Sequence, residues 1–307
     1  ATYEFSPTVN LMLRSGLDFS SEERSQQRPF SMTKFPKGMY REQGLNNYES
    51  NSDFLLSYVP KLESDFKYNI SLGGNYMSQY YNLKSMNADQ LAQPGIYQLS
   101  NSLDPVVPQS DRQEKAIASL YAFGQLSYKE MIFLDVTGRN DWSSTLPSGE
   151  RSFFYPSVNS SFILSQLFKM PEAISFAKAR LSWAQVGNDT SPYQTARYYN
   201  QIYGNNLTNQ RVLFNPNLKP EITTSYEAGL DLRFLDGRVG ADMSIYMNNS
   251  RNQILATPVD PVSGYNSALI NAGLINSKGI ELVLNGQPIL NDQFKWKSAV
   301  NWALNRS

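Results

Sequence analysis

Two kinds of side chain alternate from Glu221 to Met247 almost without error. Ile222, Thr224, Tyr226, Ala228, Leu230, Leu232 and Phe234 share one parity, with Glu221, Thr223, Ser225, Glu227, Gly229, Asp231 and Arg233 between them. Successive side chains of a strand point to opposite sides, so this spacing predicts a strand with one apolar and one polar face. Asp236-Gly237 follows, a pair suited to a two-residue type I′ turn. Val239, Ala241, Met243, Ile245 and Met247 then resume the apolar parity. Pairing Leu235 with Arg238 sets Phe234 against Val239 and Leu232 against Ala241, the register that keeps both faces intact. Both strands exceed the five or six residues usual in a globular sheet and reach the roughly 9–11 that cross a bilayer. One face toward lipid and one toward water is the pattern of a transmembrane barrel wall.

The same reading predicts about eleven strands, near residues 8–20, 52–59, 66–77, 116–127, 131–139, 156–166, 179–186, 221–234, 239–251, 278–286 and 293–305. In the last, Phe294, Trp296, Val300, Trp302 and Leu304 alternate with lysines and asparagines, whereas Phe133 and Arg180 disturb the alternation of theirs. The connections fall into two classes taken in strict turn. Pro60–Asp65, Tyr128–Glu130, Leu235–Arg238 and Gly286–Asp292 are short, and Leu167–Lys178 fits as a longer member of that class. Ser21–Asn51, Ser78–Lys115, Asn140–Tyr155, Gly187–Pro220 and Leu255–Ser277 are long. Short periplasmic turns and longer extracellular loops are the habit of outer-membrane barrels.

Composition narrows the function further. Hydrophobic residues make up 41% of the 307, and no apolar run of about 18 exists to form a transmembrane helix. Lys+Arg and Asp+Glu balance at 27 each, so nothing points to nucleic acid. With neither Cys nor His, disulfides, thiolate metal sites and His-based catalysis are excluded, and no cofactor is expected. The 19 Tyr and 16 Phe suit interfacial girdles and also carbohydrate-binding surfaces. Lumen-side carboxylates such as Glu227, Asp231, Asp242 and Glu281 follow from alternation on a wet wall, without a catalytic pair. The N-terminus, Ala1-Thr2-Tyr3-Glu4, carries no signal peptide.

Several motifs lie between these strands. Arg139-Asn140-Asp141-Trp142-Ser143-Ser144-Thr145-Leu146 precedes Phe154-Tyr155-Pro156-Ser157-Val158. Pro94-Gly95-Ile96-Tyr97 precedes Leu99-Ser100-Asn101-Ser102. Gln185-Val186-Gly187-Asn188 and Asn215-Pro216-Asn217-Leu218-Lys219-Pro220-Glu221 come later, then Ile270-Asn271-Ala272-Gly273 and Lys278-Gly279-Ile280-Glu281-Leu282. In this order the set resembles the SusC/RagA family of TonB-dependent outer-membrane transporters. The resemblance implies a 22-stranded barrel with an N-terminal plug and a TonB-contacting segment. It also implies a SusD-like surface lipoprotein as lid, and oligosaccharides or oligopeptides as cargo. Residues 1–307 are then expected to be a partial barrel wall without plug or TonB box, whose functional unit is larger, because open sheet edges are not tolerated in a membrane.

Asn140, Asp141, Trp142, Tyr198 and Tyr199 are the candidate ligand or lid contacts, since oligomer recognition needs flat rings beside hydrogen-bond formers. Each has a plainer reading: turn chemistry and an interfacial anchor for Asn140–Trp142, loop packing for the tyrosines. Two other classes compete with the energised importer. A passive porin would share the wall but lack the plug. A soluble carbohydrate-binding β-protein would bury the apolar parity between two sheets.

Overall fold

The computed structural model describes the backbone of all residues but 204, 205 and 292, and their side chains except those of 200–203 and 290. Its strands are β1 (Thr2–Ser6), β2 (Val9–Phe30), β3 (Lys37–Tyr58), β4 (Phe66–Ala88), β5 (Val107–Tyr128), β6 (Ile132–Ser143), β7 (Ser152–Ile163) and β8 (Ile174–Asn188). After three short strands, β9 (Tyr199–Tyr203), β10 (Asn206–Asn209) and β11 (Val212–Leu213), come β12 (Glu221–Phe234), β13 (Val239–Pro258), β14 (Ser267–Leu290) and β15 (Lys295–Arg306). One helical turn, α1 (Leu164–Leu167), joins β7 to β8. The main sheet has 13 strands in the order β1 to β8, then β12, β13 and β14, with β15 on β14 and β11 as a short parallel addition to β14. All eleven expected strands are present, joined by the unforeseen β1 and β11. Among the described residues β1 and β15 do not pair.

The hairpin register is as the alternation requires: Phe234 opposes Val239, Leu232 opposes Ala241, and Tyr226 opposes Met247. The connection is wider than a two-residue type I′ turn: Leu235, Asp236 and Gly237 all have positive φ, and the Gly237 and Arg238 N–H groups donate to the Phe234 and Leu235 carbonyls, both at 3.1 Å, so 235–238 form a four-residue turn around the expected Asp-Gly pair. Rows of paired residues carry the apolar parity across the sheet. One runs Tyr68, Leu126, Leu134, Ser160, Leu181, Ala228, Ile245, Ile280, Leu304 from β4 to β15. Its opposite face holds side-chain ladders. Asn69 donates to Gln125 at 3.1 Å and Gln125 to Asp135 at 2.7 Å, while Ser71 donates to Ser57 at 3.0 Å.

Buried hydrophobics are few, and Tyr226, Met243, Ile245, Trp296, Val300 and Trp302 are all well exposed. Among the described residues no second sheet covers the apolar face, so this wall does not have sandwich geometry. That face instead has the composition of a lipid-facing band. Arg180, which disturbed the sequence pattern, sits on the polar face. It reaches over Gly229 to donate two hydrogen bonds to Asp242, at 3.0 and 2.8 Å. A Cβ at 229 would lie 2.8 Å from its guanidinium, so a side chain there would push Arg180 off this path to Asp242. Asp231 and Asp242 are directly opposed, and like charges so placed repel; Arg180 offsets them.

One expectation needs correction. The segments Ser21–Asn51 and Ser78–Lys115 are mostly strand: β2 and β3 meet at residues 31–36, and β4 and β5 are joined by 89–106. The connections Asn140–Tyr155 and Leu255–Ser277 likewise shrink to 144–151 and 259–266, whereas Gly187–Pro220 stays long at 189–220. A 22-residue strand is roughly 70 Å long at about 3.3 Å per residue, more than an apolar band about 25 Å tall needs even when tilted. Beyond the band both faces are wet. Alternation therefore ends, as in Ser20-Ser21-Glu22-Glu23-Arg24-Ser25, while pairing continues. Because consecutive strands are antiparallel, the short turns all lie at one end of the sheet and the connections 31–36, 89–106, 144–151, 189–220 and 259–266 at the other.

Candidate functional site

Loop 189–220 leaves β8 and folds back over the polar face of strands that precede it. Its Asp189 side chain is 5% exposed and accepts from Lys115 Nζ of β5 at 2.6 Å, Thr145 Oγ1 at 3.1 Å and Ser143 Oγ of β6. Lys115 is itself 19% exposed, so a charged pair and two hydroxyls are held together away from most of the water. The Tyr193 hydroxyl accepts the Glu114 N–H at 3.2 Å. A loop from β8 reaches β5 in this way only on the side toward which the sheet curls, so the polar face is the inner one.

Apolar packing fixes the far end of the loop. Leu218 is fully buried with Leu146 and Phe153, and Tyr155 and Ile254 pack against them. Asn271 accepts the Lys219 N–H at 2.8 Å and donates to the carbonyls of Lys219 and Asn252, both at 2.9 Å. Glu221 accepts the Ile254 N–H at 2.7 Å. The Asn215–Glu221 motif is thus a clamp between the 144–151 connection, β13 and β14. Asn101 does similar work in the 89–106 connection, bonding Gln93 and Ile96 through backbone atoms.

Beneath the loop lies a depression of about 180 Å³ on the polar face, lined by Asn47, Gln79, Tyr81, Gln113, Lys115 and Pro192. Asn47 Oδ1 is buried there without a hydrogen-bond partner. A second depression, of about 290 Å³, continues it outward and is lined by Arg41, Gln43, Ser85, Asn87 and Gln109, among others. Arg41 Nε donates to Asn87 Oδ1 at 2.8 Å. On the opposite, outward parity of β5, Arg112 stands over the Tyr80 ring, and its hydrogen bond to Glu114 raises its pKa above the ordinary arginine value. Amides, a phenol and few unpaired charges recognise neutral polar groups by hydrogen bonding. Among the described residues no cluster of His, Cys, Asp and Glu could hold a metal ion.

The candidate contacts do not form one surface. Residues 140–142 belong to β6 rather than to a loop, so they alternate. Asp141 faces inward, 6% exposed, and accepts from Arg139 Nε at 2.7 Å and the Tyr155 hydroxyl at 2.6 Å. Asn140 and Trp142 lie on the opposite, apolar face, in the parity of Leu134 and Val136. Trp142 borders a groove with Leu13, Phe54, Tyr76 and Leu120, the setting of an interfacial anchor. Tyr198 and Tyr199 are in the long loop and exposed; Tyr198 stacks on Phe214 with centroids 5.8 Å apart. Lys115, Asp189, Asn47, Tyr81 and Gln113 were not singled out from sequence. Only Asp189, beside Gln185–Asn188, had a neighbouring motif to mark it.

Residues 1–306 match the family model described as TonB dependent receptor-like, beta-barrel. The chain belongs to that family. TonB-dependent receptor P26 of Formosa agariphila is 27% identical over 99% of this chain and 32% of its own length. TonB-dependent receptor SusC of Bacteroides thetaiotaomicron is 26% identical over 60% of this chain and 20% of its own. Among solved structures, the RagAB peptide transporter superposes with a TM-score of 0.84 at 19% identity, covering 98% of this chain and 35% of that one. The copper transporter OprC gives 0.60 at 13% identity, covering 98% and 44%. The chain therefore spans a third or less of the curated relatives it matches. It is an outer-membrane β-barrel segment, with apolar parity toward lipid and polar parity toward the lumen.

Proposed function

We propose that this wall belongs to an outer-membrane nutrient importer of the SusC type. In this reading the whole protein takes up oligosaccharides or oligopeptides with energy relayed through TonB, under a SusD-like lipoprotein lid. The supporting observation is the amide-rich inner surface beneath the pinned loop. Asn47, Gln79, Tyr81 and Gln113 offer several neutral donors and acceptors in one strip, which suits a repeating polar ligand. Asp141, Tyr198 and Tyr199 remain contact candidates, for the ligand or the lid. Trp142 becomes a membrane-interface anchor, and Asn140 lies beside it on the outer face. The inward carboxylates serve the wall rather than hydrolysis, as the Arg180–Asp242 pair illustrates.

The test uses the full-length protein with its neighbouring lipoprotein. Tyr81→Ala combined with Gln113→Ala should reduce uptake of a fluorescent oligopeptide or oligosaccharide at least tenfold while barrel yield and lid co-purification persist. Unchanged uptake would remove the strip from the substrate path. A full-length transporter that purifies alone and imports normally without the lipoprotein would refute the lid.

A further inference from the structure

The outward face of β7, β8 and β12–β15 differs in charge from the inward one. Along these six strands every carboxylate (Glu221, Glu227, Asp231, Asp242 and Glu281) has the inward parity. The outward parity carries no carboxylate. It holds Arg251, Lys278 and Arg306 instead. Lys278 and Arg306 are direct cross-strand partners, and among the described residues neither forms an ion pair. Their row also contains Trp183, Tyr226 and Met247, the last apolar row before the polar Gln185, Thr224, Asn249 and Asn276. Two cations therefore stand where the apolar band gives way to polar side chains, at the end of the sheet that bears the long connections.

Below them the apolar face is hollow. A groove of about 1000 Å³ opens where Ser160 and Ala228 are short, between Leu181, Trp183, Tyr226 and Ile245, and its rim includes Lys278 and Arg306. Hydrocarbon in the groove and the cations Lys278 and Arg306 at its outer rim are complementary to an anionic amphiphile standing upright. A neutral lipid would fill the groove without answering the positive charge at a low-dielectric boundary, where attraction to anionic headgroups is strongest.

We propose that this groove is a binding site for a phosphorylated lipid of the outer leaflet. Its acyl chain lies against Ala228 and Ile245, and its headgroup phosphate sits on Lys278 and Arg306. Arg251, two residues outward of Asn249 on the same face, extends the cationic strip toward a second phosphate or acidic sugar. The site anchors the barrel laterally and is separate from the inner surface that would handle cargo.

The full-length protein is reconstituted in neutral phosphatidylcholine nanodiscs and titrated with fluorescent lipid A, a phosphorylated glycolipid. Lys278→Glu with Arg306→Glu should weaken binding at least tenfold, with dephosphorylated lipid A equally weak on both proteins. Arg238→Glu, at the opposite end of the sheet, should leave the affinity unchanged. If the double Glu variant fails to assemble, Lys278→Gln with Arg306→Gln should show the same loss in a barrel whose heat-modifiable migration proves it folded. Lipid A affinity within twofold of wild type in either variant overturns the proposal. So does equal binding of dephosphorylated lipid A to the wild type, which would make the groove ordinary lipid-covered wall. Full displacement by millimolar inorganic phosphate would show a free-anion site and overturn the lipid assignment.

Discussion

Replacing Asp189 by Ala should release the long loop from the inner wall. The variant strands Lys115, whose side chain is 19% exposed, without its counter-ion and removes the acceptor used by Ser143 and Thr145. Breaking one partner out of a fully buried pair costs about 3–5 kcal/mol. Lys115 keeps some water, so the expected cost falls to about 2–3 kcal/mol. At about 1.4 kcal/mol per tenfold, local opening rises by roughly 30- to 150-fold. Because the strands are held by their own ladders, the change should be confined to the loop. Hydrogen exchange read by mass spectrometry on the full-length protein in nanodiscs would show faster exchange in 189–199 and 206–220, with β5 and β8 unchanged. Asp189→Asn keeps an acceptor for the hydroxyls and should open less than Ala. Acceleration under threefold in the Ala variant, or equal acceleration throughout β8, would refute the latch.

Two further outcomes follow from the outer clamp. Leu218→Ala removes a fully buried side chain from the Leu146–Phe153 cluster and should destabilise that region by about 2–5 kcal/mol, seen as a lowered denaturant midpoint for proteolysis of the loop. Asn271→Ala leaves the Lys219 N–H and two carbonyls without partners and should cost about 1–3 kcal/mol in the same assay, whereas Asn271→Asp, which keeps the acceptor, should cost less.

The membrane-spanning half of each strand was legible because lipid on one side and water on the other force alternation. Leu230 and Asp231 could not exchange parity without placing a carboxylate in hydrocarbon, so the hairpin register followed from the sequence alone. Above the membrane that constraint lapses. Glu22 through Gln27 and Arg41 through Asn47 continue to pair, yet their polarity no longer alternates, and they resembled loop. The same blindness affected the candidate site. Asn140, Asp141 and Trp142 looked like one turn because the mixed motif hid the end of β6, although strand pleating sends Asp141 inward and its neighbours outward. The Lys115–Asp189 contact joins residues 74 apart across two intervening strands, and no local pattern encodes it. The Asn47–Gln113 strip comes from three strands that only the fold brings side by side. Arg180 seemed a break in its strand; Gly229, one strand away, is what makes room for it.

Even positions of β12 face lipid and odd ones face water. Single cysteines placed from Thr224 to Phe234 in an otherwise cysteine-free full-length protein can carry nitroxide labels, with collision rates measured for oxygen, which enters the bilayer, and for a water-soluble nickel chelate. Access should vary with a period of two, with oxygen access highest at 226, 228, 230 and 232 and chelate access highest at 225, 227, 229 and 231. Chelate access at the even positions, or profiles for the two reagents that rise and fall together, would contradict it.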